Sequence, residues 1–566
     1  VICLFGVILF SSLLNVAEPT AAGPVSVYRV TGVVVSSVDE TPVPHVHLNA
    51  TPVTHGRPGG SFSMGAASSG ISTDADEQGR FTLTLPSAGA WHLRASATGF
   101  VTQAYEEHND YSSAIVLTAA EPTIDLHFRL SPEAEIAGTV LDEAGEGVRG
   151  ARVTLQHRGA NPPDEEGQTF RNRMVTQTDD RGVYEFDGLA DGDYRIEVDA
   201  KPWYSTSNQP RLVNNTSTLN PTLDVTYQAT WYPGVDDSSQ AEILSLHPAE
   251  NRRADFHLVP IPSVHLQVPA AGQTRPIDGR PPVPFYPVLE RIDNGTGPGI
   301  AQATSRNGPN GQLDIGGLAP GLYRMRIPGQ DQQGETTVIE IAPGSSRVVD
   351  LAAATAEVAD IAVEVDREDE GHSLWVELTN TESGQRFTSI NRNMFMPVNS
   401  SRSEQSRTPR PISLQVPPGR YEVSLMGRDG YLVGIAAKGA EVSGRFLTVR
   451  TGKVTLLLHT ARGRATVNGV ASANGKPVTA AMVLLIPAGL DDPRSFTHVV
   501  QDQTNTDGSF DLNDIIPGQY LLIAVDQGWK IDWKSAANLQ KYLSQGMPLD
   551  IHAETKLQQN LPVQAP

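Results

Sequence analysis

Cysteine is almost missing from this sequence. Cys3 stands alone among 566 residues, and it falls in an amino-terminal segment expected to be removed, so disulfides and thiolate chemistry are excluded from the remainder. Positive charge is also short. Acidic residues outnumber basic ones by 64 to 43, giving a net charge of −21, and only eight of the basic residues are Lys. A surface this acidic repels a phosphate backbone, which rules out general nucleic-acid binding. Long apolar runs are absent as well. The longest, residues 2–14, falls short of the roughly 18–20 residues that span a bilayer core. Followed by Thr20 and Ala22 at a −3/−1 spacing, it reads as an export signal over residues 1–22, with a buried amino-terminal strand as the alternative. The mature chain is therefore expected to be exported, whether periplasmic, cell-surface or extracellular, with no transmembrane segment. What is abundant is turn-forming residues, 51 Gly and 41 Pro without a collagen-like period, in a chain long enough for three to five domains.

Repetition is the strongest positive signal. The phrase Thr178-Asp179-Asp180-Arg181-Gly182-Val183-Tyr184-Glu185-Phe186, followed by Leu189 and then Gly192-Asp193-Tyr194-Arg195-Ile196, describes two half-buried strands joined by a short turn. It returns as Thr73, Asp76, Gly79, Phe81, Leu83, Leu85, Gly89 and Trp91. It returns again as Thr506-Asp507-Gly508 with Phe510, Leu512, Gly518 and Tyr520. A worn copy keeps Gly311, Leu313, Ile315, Leu318, Gly321 and Tyr323, and a fifth keeps Ile412, Leu414, Val416, Gly419, Tyr421 and Val423. Asp and Thr ahead of Gly close an Asx-type turn, and the aromatic after the second Gly covers the core edge.

A second phrase precedes three of the copies. Ile136-Ala137-Gly138-Thr139-Val140 leads to Gly147-Val148-Arg149-Gly150-Ala151-Arg152-Val153-Thr154-Leu155. Val30-Thr31-Gly32 leads to Pro42-Val43-Pro44-His45-Val46-His47-Leu48, and Val467-Asn468-Gly469 leads to Lys476-Pro477-Val478 and Met482-Val483-Leu484-Leu485. Closing strands repeat at 125–130 and 255–260. The pattern predicts an all-β chain of tandem antiparallel β-sandwiches at roughly 25–131, 132–262, 263–352, 353–459 and 460–566. One short helix is expected at Ser535 to Ser544, where Leu539, Tyr542 and Leu543 share a face.

The order G-x-V, G-x-P-V-x-G-A-x-V-x-L, T-D-x-x-G-x-F/Y-x-F and G-x-Y resembles the carboxypeptidase regulatory-like domain, best over 132–200. This is a transthyretin-like sandwich that follows the catalytic domain of some zinc carboxypeptidases and is similar to Cna protein B-type repeats. Exported bacterial proteins carrying such domains in tandem look similar to this chain. The resemblance implies a carbohydrate-binding-like fold and a surface or adhesive role. Cna B-type sandwiches often carry a Lys to Asn cross-link; the first and third units contain no Lys to form one, and none is expected elsewhere.

Catalytic motifs resolve poorly. A zinc peptidase needs H-x-x-E and a distant His, and His247-Pro248-Ala249-Glu250 with His372 has that form. Pro248 instead places the pair in a turn, with no alternating helix–strand region around it. H-E-x-x-H, G-x-S-x-G and the phosphate-cradling loop do not occur. His45-x-His47 would put two imidazoles on one face of a strand, half of a metal site. Asp74, Asp76, Glu77, Asp179 and Asp180 could donate oxygens to calcium, or simply cap turns. No catalytic residue, metal ligand or cofactor is expected. Trp203, Tyr204, Trp231, Tyr232, Trp529 and Trp533 fall outside the repeats, and their rings suit either sugar stacking or packing between domains.

The residues thus predict a non-catalytic exported rod or string of sandwiches, a structural, adhesive or binding element of the cell envelope. Its expected partners are polysaccharide or other envelope proteins. Two alternatives remain open: a carbohydrate-binding module array using loop aromatics, and an accessory subunit or diverged relative of a zinc carboxypeptidase.

Overall fold

The computed structural model describes residues 27–53, 70–108, 111–158, 170–205, 211–213, 216–218, 220–269, 287–292, 299–300, 303–307, 312–326, 336–366, 375–382, 385–388, 412–426, 430–488, 499–531, 533 and 536–566. Cys3, the expected export signal and His372 lie outside them. The described chain is almost entirely β, with two short α-helices, Leu351–Ala354 and Ala536–Leu543. Neither is long and apolar enough to cross a membrane.

One plan recurs five times. An opening strand lies between the first strand of the repeat hairpin, to which it pairs antiparallel, and a closing strand, to which it pairs parallel. In the first sandwich Tyr28–Ser36 lies between Arg80–Leu85 and Thr123–Leu130. In the second, Ala134–Leu141 lies between Val183–Leu189 and a closing strand broken into Asn251–Arg253 and Phe256–His257. In the third, Val264–Val268 lies between Leu313–Leu318 and Val348–Asp350; in the fourth, Ala359–Val365 lies between Ile412–Val416 and Gly452–Ala461. In the last, Ala465–Ala473 pairs with Ser509–Ile515 and with Lys556–Gln558 and Leu561–Gln564. The hairpin's second strand crosses into a facing sheet, and the alternating inward residues of the two sheets form a core in each case, that of the fourth sandwich extending onto Ile292 and Val338 of the third. In the last sandwich Leu561–Gln564 also pairs with Gly518–Val525, which joins both layers into one nine-stranded sheet.

The two repeated phrases meet across strands. Gly32 faces Phe81, Gly138 faces Tyr184 and Gly469 faces Phe510. A Cβ on these glycines would lie 2.3 Å from the Leu126 carbonyl oxygen, 1.9 Å from that of Ala254 and 1.9 Å from that of Gln559. The closing-strand backbone therefore occupies the space a side chain would need, and the aromatic ring covers the bare glycine from the other side. In the third and fourth sandwiches the equivalent pairs are Val268 with Leu313 and Val363 with Ile412.

The second aromatic of the repeat has a further role. The hydroxyls of Tyr194, Tyr323, Tyr421 and Tyr520 each donate to the carbonyl four residues earlier, on Ala190, Ala319, Pro417 and Ile516, at 2.8, 2.8, 2.7 and 2.6 Å. Each ring thus closes its own hairpin turn. In the first sandwich Trp91 takes this position, and its buried indole nitrogen makes no hydrogen bond.

The expected helix is present at Ala536–Leu543, where Leu539 and Tyr542 cover a small core of Leu484, Ile486, Ile523 and Val525 on the outer face of the last sandwich. The expected string, however, does not stay open. The last sandwich contacts the first, through Ser113 to Thr504 and Ala114 to Asn505 and Thr506, so the two ends of the fold meet.

Candidate functional site

The six candidate aromatics separate by environment. Trp203, in the turn after the strand Gly192–Asp199, is 80% exposed and stands edge-on to Tyr204, with ring centroids 5.8 Å apart. The Tyr204 hydroxyl donates to Glu143, whose other carboxylate oxygen accepts from Tyr227 at 3.2 Å. Burial first, and then the Glu143 carboxylate, push the Tyr204 hydroxyl up to about 12. The pair is thus an exposed ring beside a phenol held in place by a shared carboxylate.

The others do not form such a surface. Trp231 was expected in a loop, yet Thr230–Trp231 is a strand paired with Glu197 and Val198, and its ring is buried on the sheet face opposite the core residues Ile196 and Val198, 6.0 Å from the Arg195 guanidinium. Tyr232 packs edge-on to Phe256 at 5.9 Å. Trp533 donates its indole N–H to the Gly528 carbonyl at 2.8 Å and packs on Tyr542. Trp529 stacks on His108 of the first sandwich, with centroids 3.7 Å apart and planes 15° from parallel. Trp231 is thus buried, one face of Trp529 is covered by His108, and Tyr232 and Trp533 are half-buried against Phe256 and Tyr542.

The polar motifs also resolve locally. The Glu250 carboxylate accepts from the His247 backbone N–H at 2.9 Å, so His-x-x-Glu closes its own turn. His45 precedes the strand His47–Pro52 in a left-handed conformation (φ 55°), so the two imidazoles do not share a strand face as expected. His47 Nδ1 lies 2.8 Å from Asp74 instead. Asp76 accepts from the backbone of Gln78 and Arg80, and Asp179 from that of Arg181 and Val183, all at 2.8–2.9 Å. These bonds hold both carboxylates well within their turns, and among the described residues no cluster of three metal-ligating side chains forms.

A buried charge cluster that sequence reading missed ties the second sandwich to the third. His265 Nδ1 lies 2.9 Å from Asp314 Oδ1, and its Nε2 lies 3.0 and 3.1 Å from the two oxygens of Asp224. Burial by itself would depress this imidazole, but hydrogen bonds and charge from Asp314 and Asp224 outweigh it and hold the pKa above 6.5. Arg347 approaches Asp224 at 3.5 Å, and Thr226 donates to the Gly317 carbonyl at 3.1 Å beside it. Both ring nitrogens face carboxylates, so no lone pair is free for base catalysis. The one sequence signal is a histidine within the apolar run Val264–Val268; its partners lie 41 and 49 residues away.

Residues 135–227 match the family model of the carboxypeptidase regulatory-like domain, over the stretch where the repeated phrases are best preserved. No curated protein matches the chain. Among solved structures, the TIE protein of Bacillus anthracis is 9% identical, with 96% of this chain and 76% of that one covered, at a TM-score of 0.17. The minor pilin of Streptococcus agalactiae is 12% identical, with 45% and 100% covered, at a TM-score of 0.21. The shaft pilin SpaA of Lactobacillus rhamnosus GG is 13% identical, with 42% and 98% covered, at a TM-score of 0.17. Identities and TM-scores this low carry no conclusion about activity.

Proposed function

We propose that the protein is a non-catalytic, exported element of the cell envelope, built from tandem β-sandwiches and acting structurally or adhesively. The observation that supports this best is where the reactive side chains go. The His247 and Glu250 pair closes a turn, His47 is paired with Asp74, and His265 has a carboxylate on each ring nitrogen. Chemistry-bearing residues are thus engaged in holding the fold. The expected outcome is that the protein is labelled on, or released from, the envelope of intact cells, and that it hydrolyses no peptide with or without added zinc. Zinc-dependent release of a carboxy-terminal amino acid, lost in His247→Ala, would overturn the reading.

A second reading, glycan binding, is favoured by one residue. Trp203 presents an open indole face beside the fixed phenol of Tyr204, an arrangement suited to stacking on a sugar ring. Retention on an insoluble polysaccharide should fall about tenfold in Trp203→Ala, while stability changes by no more than about 0.5 kcal/mol. Unchanged retention removes this reading and leaves the structural one standing.

A further inference from the structure

The contact between the first and last sandwiches is built as a receptor and a ligand. In the first, the short strand Ile115–Leu117 pairs on one side with Gly89, Ala90 and Trp91. On its other side the last sandwich supplies the missing partners. The backbone N–H groups of Ala114 and Val116 donate to the side chains of Asn505 and Thr506, both at 2.9 Å, and the Ala114 carbonyl accepts from the Thr506 N–H at 3.0 Å. Ser113 donates to the Thr504 carbonyl at 2.7 Å, and Gln503 donates to Ser113 at 3.0 Å. Trp529 closes the contact by stacking on His108. An open sheet edge is a template for strand-like recognition, and here a turn reads it with its own side chains.

That turn is one of the repeats, and it differs from its siblings at the contact. In the second sandwich the equivalent carboxylate, Asp179, accepts from two backbone N–H groups of its own turn. Asn505 directs its side-chain oxygen at Ala114 instead, and its turn is closed by backbone bonds from Asn505 to Ser509 and from Gly508 to Asn505. The Asn505 amide still donates to Ser509 within the turn at 3.0 Å, while its oxygen is turned from the turn's own backbone to the edge of the first sandwich.

Turn and edge are unlike surfaces at opposite ends of the described chain, so the contact is heterologous: it closes one chain on itself, or it links the last sandwich of one copy to the first sandwich of another. We infer that this clasp is exchangeable, and that its second occupant is another copy of the chain, giving head-to-tail assembly through the same hydrogen bonds. Tethering favours the closed form at low concentration, since the contact within one chain is independent of concentration and that between chains is not. Crowding of copies on a surface favours exchange.

Cysteine trapping in the full chain, in a Cys3→Ser background, tests this. A chain carrying both Val116→Cys and Thr506→Cys should oxidise to an internally bonded monomer at about 10 μM. A mixture of the two single-cysteine chains should form the mixed disulfide dimer, rising with concentration toward about 500 μM. Its yield should exceed by about tenfold that of a control mixture pairing Thr506→Cys with Val442→Cys, an exposed site remote in sequence from the clasp. Adding Gln503→Ala and Asn505→Ala should abolish the difference. No internal bond in the double-cysteine chain means the clasp does not form. An internal bond without mixed dimers above control means it does not exchange, and dimers indifferent to Gln503 and Asn505 arise from another contact; each outcome overturns the proposal. Light scattering of the unmodified chain over the same range, expected to show growth with concentration that Asn505→Ala abolishes, keeps the test independent of the cysteine variants' folding.

Discussion

The outer and middle sandwiches solve the same packing problem with different residues. In the first, second and last, a glycine on the opening strand lies between a closing-strand carbonyl and an aromatic ring. In the third and fourth, a valine faces a leucine or isoleucine at the same pair of positions. Both residues of the pair differ while the strand order is kept. The recognisable motif is therefore not required by the strand plan; it goes with a closing-strand carbonyl that sits against the glycine.

The largest effect expected from disturbing this comparison is at Gly138. Gly138→Val forces a side chain into the Ala254 carbonyl, 1.9 Å from the Cβ position, and should destabilise the second sandwich by more than about 4 kcal/mol. Hydrogen exchange resolved by peptide would show this as lost protection confined to that sandwich. Adding Tyr184→Leu to copy the middle sandwiches should fail to rescue it, because the obstacle is closing-strand backbone. Recovery in the double variant would mean that the ring alone demands the glycine.

Next is His265, a device the outer sandwiches lack. His265→Gln leaves Asp224 and Asp314 buried without their shared cation and should cost about 3–5 kcal/mol, read as exchange in the third sandwich. Its pKa is raised above the free value of about 6.5. The stabilisation is therefore fully present below that value and lost as pH rises through the folded pKa. Protection in the third sandwich should fall as pH rises above about 6.5 in the parent and stay flat in the variant. A parent profile as flat as the variant's would show that the proton is not shared as described.

The smallest effect concerns a feature common to both regions. Tyr194→Phe and Tyr421→Phe each remove one hydroxyl-to-carbonyl bond, at 2.8 and 2.7 Å, and should cost about 1 kcal/mol apiece in their own sandwiches. A several-fold larger loss in one region would show that the latch is not equivalent across the repeats.

Much of the fold was legible in the sequence because it is written in local terms. Turn glycines, alternation around Tyr184 and Phe186, and the helical face of Leu539 and Tyr542 all act within a few residues. The spacing of Gly138 and Tyr184 gave no sign that they touch, since only strand register brings them together. The candidate site was less legible for the same reason. Trp203 and Trp231 look alike as aromatics outside the repeat, but Trp231 is buried against the sheet by pairing with Glu197 while Trp203 follows the strand's end. The Asp224, His265 and Asp314 cluster and the clasp of Asn505 on Ala114 join residues from different sandwiches, and no local pattern encodes such meetings.

The parallel pairing of opening and closing strands has a mechanical consequence. Where two adjacent strands run the same way, the chain enters a sandwich at one end of the pair and leaves at the other, so tension along the chain shears their hydrogen bonds together and does not unzip them one by one. Resistance then scales with the length of overlap. Eight residue pairs join these strands in the first sandwich and seven in the fourth, but only three, His265 to Gln267 with Val348 to Asp350, in the third. A pulled chain would yield at its third sandwich first, with the ion cluster around His265 reinforcing its shortest seam.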